Sequence, residues 1–286
     1  MELTVGQETS EHVATGTEHD GKPGQTVVLA PAIAPAPAAG EHPAIPQKSR
    51  RREALAATEH PQWAVQMLDR LRPTWDAVRQ SPVFTDTKPG MVNEEVWKRV
   101  VREYFCVVEA FPKYMGITLA KTTFGRQPKD ELARTWLIGN IRVESHHVEW
   151  YIDWAAGHGI SREELVDHRP HDAVSGLDSW LWSVAFQGTL AEAVGAINYA
   201  IEGTTGEWTR HVLPAFTELL GGDRTSLAWL HNHAEYDDEH PVQALEIVKN
   251  ALNGDGGPTQ TQVARTENAI RRSLELFRAG FDSCLR

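Results

Sequence analysis

From about Arg52 to the C-terminus, apolar residues recur three and four positions apart, the period of one buried face of an α-helix. No stretch shows the strict alternation of a half-buried strand. Turn-forming clusters at Ser81-Pro82, Lys88-Pro89-Gly90, Gly157-His158-Gly159, Arg169-Pro170 and Gly221-Gly222-Asp223 divide the pattern. It predicts helices near 53–80, 93–124, 128–156, 161–168, 174–187, 189–218, 224–251 and 259–284, an all-α bundle. Asn93 before Glu94 and Glu95, and Ser161 before Glu163 and Glu164, read as N-caps whose early acids suit the helix dipole. The run Asn253 to Pro258 is a flexible break before a last helix, which is expected to pack on the outside of the bundle.

The pattern is absent from Met1 to about Ala44, where Ala, Pro, Gly, Thr and Glu dominate and Ala and Pro alternate from Ala30 to Pro37. Such a segment buries too little apolar surface to offset its ordering entropy, so residues 1–51 are expected to be a disordered tail and 52–286 one helical domain. The basic cluster Lys48, Arg50, Arg51 and Arg52 closes the tail and reads as a short solvated charge run.

Charge narrows the partners. A net charge of −11 and a pI near 5.6 leave no basic face for phosphate, which excludes nucleic acid. No run reaches the roughly 20 apolar residues of a membrane span. The two cysteines, Cys106 and Cys284, are too few for a disulfide framework and fit a reducing, cytoplasmic setting.

Chemistry concentrates in three segments: Glu144-x-x-His147, Glu202, and His233-x-x-x-Asp237-x-x-His240. At about 100° per residue, Glu144 and His147 lie about 60° apart, and His233, Asp237 and His240 share one stripe of about 60°. Asn140 and Tyr151 lie on the Glu144 stripe, whereas His146, Glu149, Asp238 and Glu239 project elsewhere. Apolar neighbours, among them Ile141, Val148, Ile197, Ile201, Trp229 and Leu230, place the six groups in a core. Burying three carboxylates and three imidazoles there demands a cation, and this oxygen and nitrogen set suits two iron or manganese ions. Ferritin-like bundles use Glu-x-x-His twice with two lone carboxylates, unlike this chain. Here the last segment gives one ligand to the first metal and two to the second, and Glu202 is the natural bridge.

The stretches Phe111-Pro-Lys-Tyr-Met115, Asn140-Ile-Arg-Val-Glu-Ser-His-His147 with Trp136, Asn198-Tyr-Ala-Ile-Glu-Gly-Thr-Thr-Gly-Glu-Trp208 and Trp229 to Pro241 resemble the haem-oxygenase-like di-iron oxidases. That superfamily shares a seven-helix fold with the TenA and PqqC proteins, and within it the chain resembles the non-haem iron decarboxylases that form terminal alkenes. The resemblance implies a first Fe(II) on Glu144, His147, Glu202 and His233, which would also be the catalytic set. It implies a second, more labile Fe(II) on Asp237 and His240, with Glu202 shared. It further implies O2 as co-substrate, an external electron donor, and a medium-chain fatty acid such as dodecanoic acid as substrate. Tyr114, Met115, Leu119, Trp180 and Phe186 are candidates for the acyl tunnel. A relative with the same ligands acting on an amine or amino acid is the alternative. A TenA-type thiaminase, or a metal-free binding protein, would instead make Cys106 a nucleophile or the ligand set incidental.

Overall fold

The computed structural model describes residues 55–87, 93–124, 128–236, 239–254 and 256–285. The expected tail and the helix start before residue 55 lie outside them, as do Asp237 and Asp238. Helices are α1 (Gln62–Arg79), α2 (Pro82–Thr85), α3 (Glu94–Leu119), α4 (Pro128–Gly157), α5 (Arg162–Asp167), α6 (Asp172–Gln187) and α7 (Leu190–Val194). A π-helical segment (Gly195–Glu202) then runs into α8 (Gly203–Leu219), followed by α9 (Ala228–Tyr236), α10 (His240–Leu252) and α11 (Gln260–Ser283). With α2 and α5 as short connectors, α7 through α8 as one continuous rod and α9–α10 as one broken rod, the described residues make seven long rods and no strand.

Local chemistry explains most boundaries. The Asn93 side chain accepts from the backbone N–H groups of Glu95 and Val96. Ser161 with Glu164, Thr189 with Glu192 and Thr259 with Gln262 form reciprocal capping boxes at α5, α7 and α11. Gly221 and Gly222, at φ 62° and 73°, turn the chain out of α8 through the left-handed region.

Three expectations are corrected. Residues 55–61 are not helical, and α1 starts only after Pro61. The expected helix 224–251 is two helices: α9 begins only at Ala228 and ends at Tyr236, and α10 begins at His240 with Pro241 in its first turn, where a missing N–H costs nothing. The last helix does not lie outside: α11 packs against α1, α6 and the π segment and buries Val263, Ile270, Leu274, Phe277 and Phe281. Among the described residues no helix is long and apolar enough to cross a membrane.

Candidate metal centre

Four elements meet at the site. One face of α4 supplies Glu144 and His147, the π segment ends on Glu202, α9 supplies His233, and His240 is the first residue of α10. Glu144, His147 and Glu202 are each 4 % exposed and His233 6 %. Two carboxylates and two imidazoles are thus taken almost wholly out of water in one place, a cost that a bound cation offsets. Ligand atoms of Glu144, His147 and His233 all lie within 4.8 Å of one another, and so do those of Glu144, Glu202 and His240. Among the described residues Glu144 belongs to both groups, and Glu202, the bridge expected from the sequence, belongs to the second with His240. Asp237 lies outside the described residues.

Hydrogen bonds orient the donors. His233 Nδ1 lies 2.8 Å from the Trp229 carbonyl oxygen, which can only accept. The ring proton therefore sits on Nδ1, and Nε2 carries the lone pair that a metal takes. His147 Nδ1 is 2.7 Å from Glu144 Oε2 but forms no directional hydrogen bond, so the two atoms converge as co-ligands do. The His147 and His233 rings stand 4.4 Å apart, flanked by Trp150 at 5.2 Å and Trp229 at 4.1 Å. Asn198, fully buried in the π segment, donates through Nδ2 to Glu202 Oε1 at 3.2 Å and lies 3.1 Å from Met115 Sδ. Neither Asn198 nor the π geometry was legible beforehand; an Asn four residues before the acid was the only signal. π segments are rare and recur at functional sites, since the extra residue per turn re-aims a side chain. The donor set, oxygen and nitrogen without thiolate, fits iron.

A narrow cavity of about 60 Å3 opens beside this cluster. Val100, Tyr104, Val107, Val108 and Phe111 of α3 line one side. Tyr151 and Trp154, Ile201, Thr205 and Trp208, Trp229, Phe277 and Phe281 complete it. None of the five residues expected in an acyl tunnel lines it. Tyr114 and Met115 are fully buried, the Tyr114 hydroxyl donating to Asp178 and Met115 lying behind Asn198. Leu119 packs half-buried against the core, Trp180 Nε1 donates to Ser273 Oγ at 2.9 Å, and Phe186 is exposed. Side-chain direction along α3 decides this, and a list of its apolar residues does not contain it.

The remaining polar groups sort as their positions imply. His146, Glu149 and Glu239 are exposed, with Glu149 paired to Arg162. Asn140 and Tyr151 are buried, and the Tyr151 hydroxyl donates to the Val101 carbonyl at 2.9 Å. Burial pushes the Cys106 thiol up to about 12, which keeps it protonated at neutral pH and unsuited to nucleophilic attack.

Residues 98–276 match the family model described as iron-containing redox enzyme, of haem-oxygenase type. The chain belongs to this haem-oxygenase-like family of iron-containing redox enzymes. Among solved structures it is similar to a TenA homologue from Pseudomonas syringae pv. tomato strain DC3000, at 31 % identity and a TM-score of 0.75. That match covers 80 % of this chain and 98 % of the other. A domain with a haem-oxygenase-like fold from Shewanella denitrificans shares the fold at 18 % identity and a TM-score of 0.63, over 77 % of this chain and 91 % of that one. The 4-aminobenzoate synthase of Chlamydia trachomatis is 23 % identical over 198 residues, 67 % of this chain and 80 % of its own length. Its counterpart in Chlamydia muridarum is 21 % identical over 208 residues, 71 % and 83 % of the two chains.

Proposed function

We propose that this family member is an O2-dependent fatty-acid decarboxylase of the UndA kind, converting a medium-chain acid such as dodecanoic acid to 1-undecene and CO2. The cavity carries the reading: among the described residues, apart from the candidate ligands Glu144, His147, Glu202 and His233, no carboxylate, imidazole, lysine or arginine lines it. A substrate with a long apolar body and one charged end meets that wall without burying an unpaired charge. An amino acid, charged at both ends, would bring a second charge to a wall whose described residues offer no charged partner outside the ligand cluster. The acid loses two electrons and two protons, an external donor supplies two more of each, and O2 departs as two waters.

Two Fe(II) ions held by Glu144, His147, Glu202, His233, Asp237 and His240 would supply the redox chemistry when bound. The residues of this chain supply position. The Trp229 carbonyl sets the His233 tautomer and Asn198 fixes the Glu202 carboxylate. The aromatic and branched walls exclude water and hold the chain so that its charged end reaches the ligand cluster.

Headspace gas chromatography of ferrous protein, with ten- to fourteen-carbon acids, ascorbate and air, tests this directly. A terminal alkene one carbon shorter than the acid is expected. No alkene from any acid, in protein shown to contain iron, would refute it. A second reading, oxidation of an amine or amino acid, draws support from the likeness to the chlamydial 4-aminobenzoate synthases. It becomes the working assignment if the alkene is absent.

A further inference from the structure

The polar atoms of the cavity's aromatic walls are not treated alike. The Tyr104 hydroxyl donates to the Phe277 carbonyl at 2.7 Å, the Tyr151 hydroxyl to Val101 at 2.9 Å, and Trp208 Nε1 to the Val83 carbonyl at 3.1 Å. Trp154 and Trp229 are the exceptions. Both line the cavity, both are almost wholly buried at 0 % and 4 % exposure, and neither indole N–H has a hydrogen-bond partner. An indole nitrogen is a donor only, so no change of tautomer or rotation of a hydrogen can relieve it. Leaving such a donor unpaired in an apolar wall forfeits a hydrogen bond that the fold provides to Tyr104, Tyr151 and Trp208.

The two indoles also form one rigid unit. They stack in parallel, 5.2 Å apart with 2° between the planes, and Tyr151 meets both edge-on at 5.2 and 5.1 Å. The Trp229 ring lies 4.1 Å from that of the candidate ligand His233, tilted by 38°, so the unit begins one ring away from the ligand cluster. Packing on every side fixes where these donors stand, and rigid placement of donors is what selects a polar group in an otherwise apolar cavity.

We infer that the indole N–H groups of Trp154 and Trp229 form a hydrogen-bonding subsite that takes an oxygen acceptor of the bound substrate. In the acid of the proposed function, on which the identity of this group rests, that acceptor is a carboxylate oxygen. A carboxylate is the strongest acceptor a fatty substrate can present, and its bond to a neutral N–H is charge-assisted. The subsite rewards an acid over the corresponding hydrocarbon, so it favours binding of substrate and release of an alkene product.

Equilibrium binding to the anaerobic ferrous protein tests the inference, with dodecanoate, 4-aminobenzoate and 1-undecene as probes and Trp154→Phe and Trp229→Phe as variants. Each variant is expected to bind the carboxylate about tenfold more weakly, the loss of one charge-assisted hydrogen bond, and 1-undecene with little change. Because both residues are core, a second measurement uses unaltered protein labelled with 15N-tryptophan. Two indole N–H resonances should move on adding a carboxylate and stay in place with 1-undecene. If only 4-aminobenzoate binds, and binds more weakly in both variants, the acyl reading fails and the subsite stands. Carboxylate affinity unchanged in both variants, or indole resonances that no probe moves, overturns the subsite.

Discussion

Gly203→Ala should damage the metal centre without touching a ligand. Gly203 follows Glu202, and a Cβ built on it would lie 2.8 Å from Trp75 Cη2, 3.2 Å from Trp75 Cζ2 and 3.2 Å from Pro241 Cβ. Ordinary contacts begin at 3.4 Å, so the indole would have to retreat by 0.6 Å, the difference between 3.4 and 2.8. It is poorly able to do so. Trp75 Nε1 donates to Glu207 Oε2 at 3.1 Å, and Arg79 clamps the same carboxylate through two bonds of 2.7 Å. Pro241 is a rigid ring attached to the ligand His240, so the alternative relief moves α10 away from Glu202. Overpacking of rigid neighbours costs about 1–3 kcal/mol, and about 2 kcal/mol lowers the melting temperature of a domain this size by roughly 4–8 °C. Calorimetry with anaerobic iron titration reads both effects. The expected result is a lower melting temperature and weaker binding at the Glu144, Glu202 and His240 group, with the Glu144, His147 and His233 group retained. Unchanged melting and unchanged iron affinity would refute the claim that this contact sets the spacing between Glu202 and His240.

Two other perturbations separate the parts of the structure. Because Glu144 belongs to both ligand groups, Glu144→Ala should remove nearly all bound iron, whereas His240→Ala should leave about half, read by elemental analysis of protein loaded without oxygen. Equal loss in the two variants would contradict the shared carboxylate. His158, buried beside Trp154 and Phe216, is pushed down from 6.5 to about 4 by burial, with Glu94 opposing and Lys98 reinforcing the shift. The unfolded chain therefore binds the proton more readily, so this contribution is complete above pH 6.5 and drains away as pH falls toward 4. The displacement corresponds to about 3 kcal/mol. Urea unfolding at pH 7.5 and pH 4.5 should show most of that loss in the wild type and little in His158→Phe; parallel losses would place the acid sensitivity elsewhere.

Periodicity alone determined the helical class, because a helix advertises its buried face every three or four residues whatever it packs against. The caps at Asn93 and Ser161 were legible for the same reason: their partners lie two or three residues away. The ligand types were legible too, since Glu144 with His147 is a local pattern and buried acids beside apolar residues demand a cation. Tertiary structure decided what depends on partners distant in the chain. It brought His240 to Glu144 and Glu202, set Glu144 within reach of both candidate ligand groups, and turned Phe277 and Phe281 of α11 inward. It also set the register of the π segment, where Gly195 meets Ile270 of α11. The cavity is the clearest case: Tyr114 and Phe111 are both aromatic residues of α3, yet only Phe111 faces it. A helix can aim either ring at a neighbour, and only the neighbour's position settles which one.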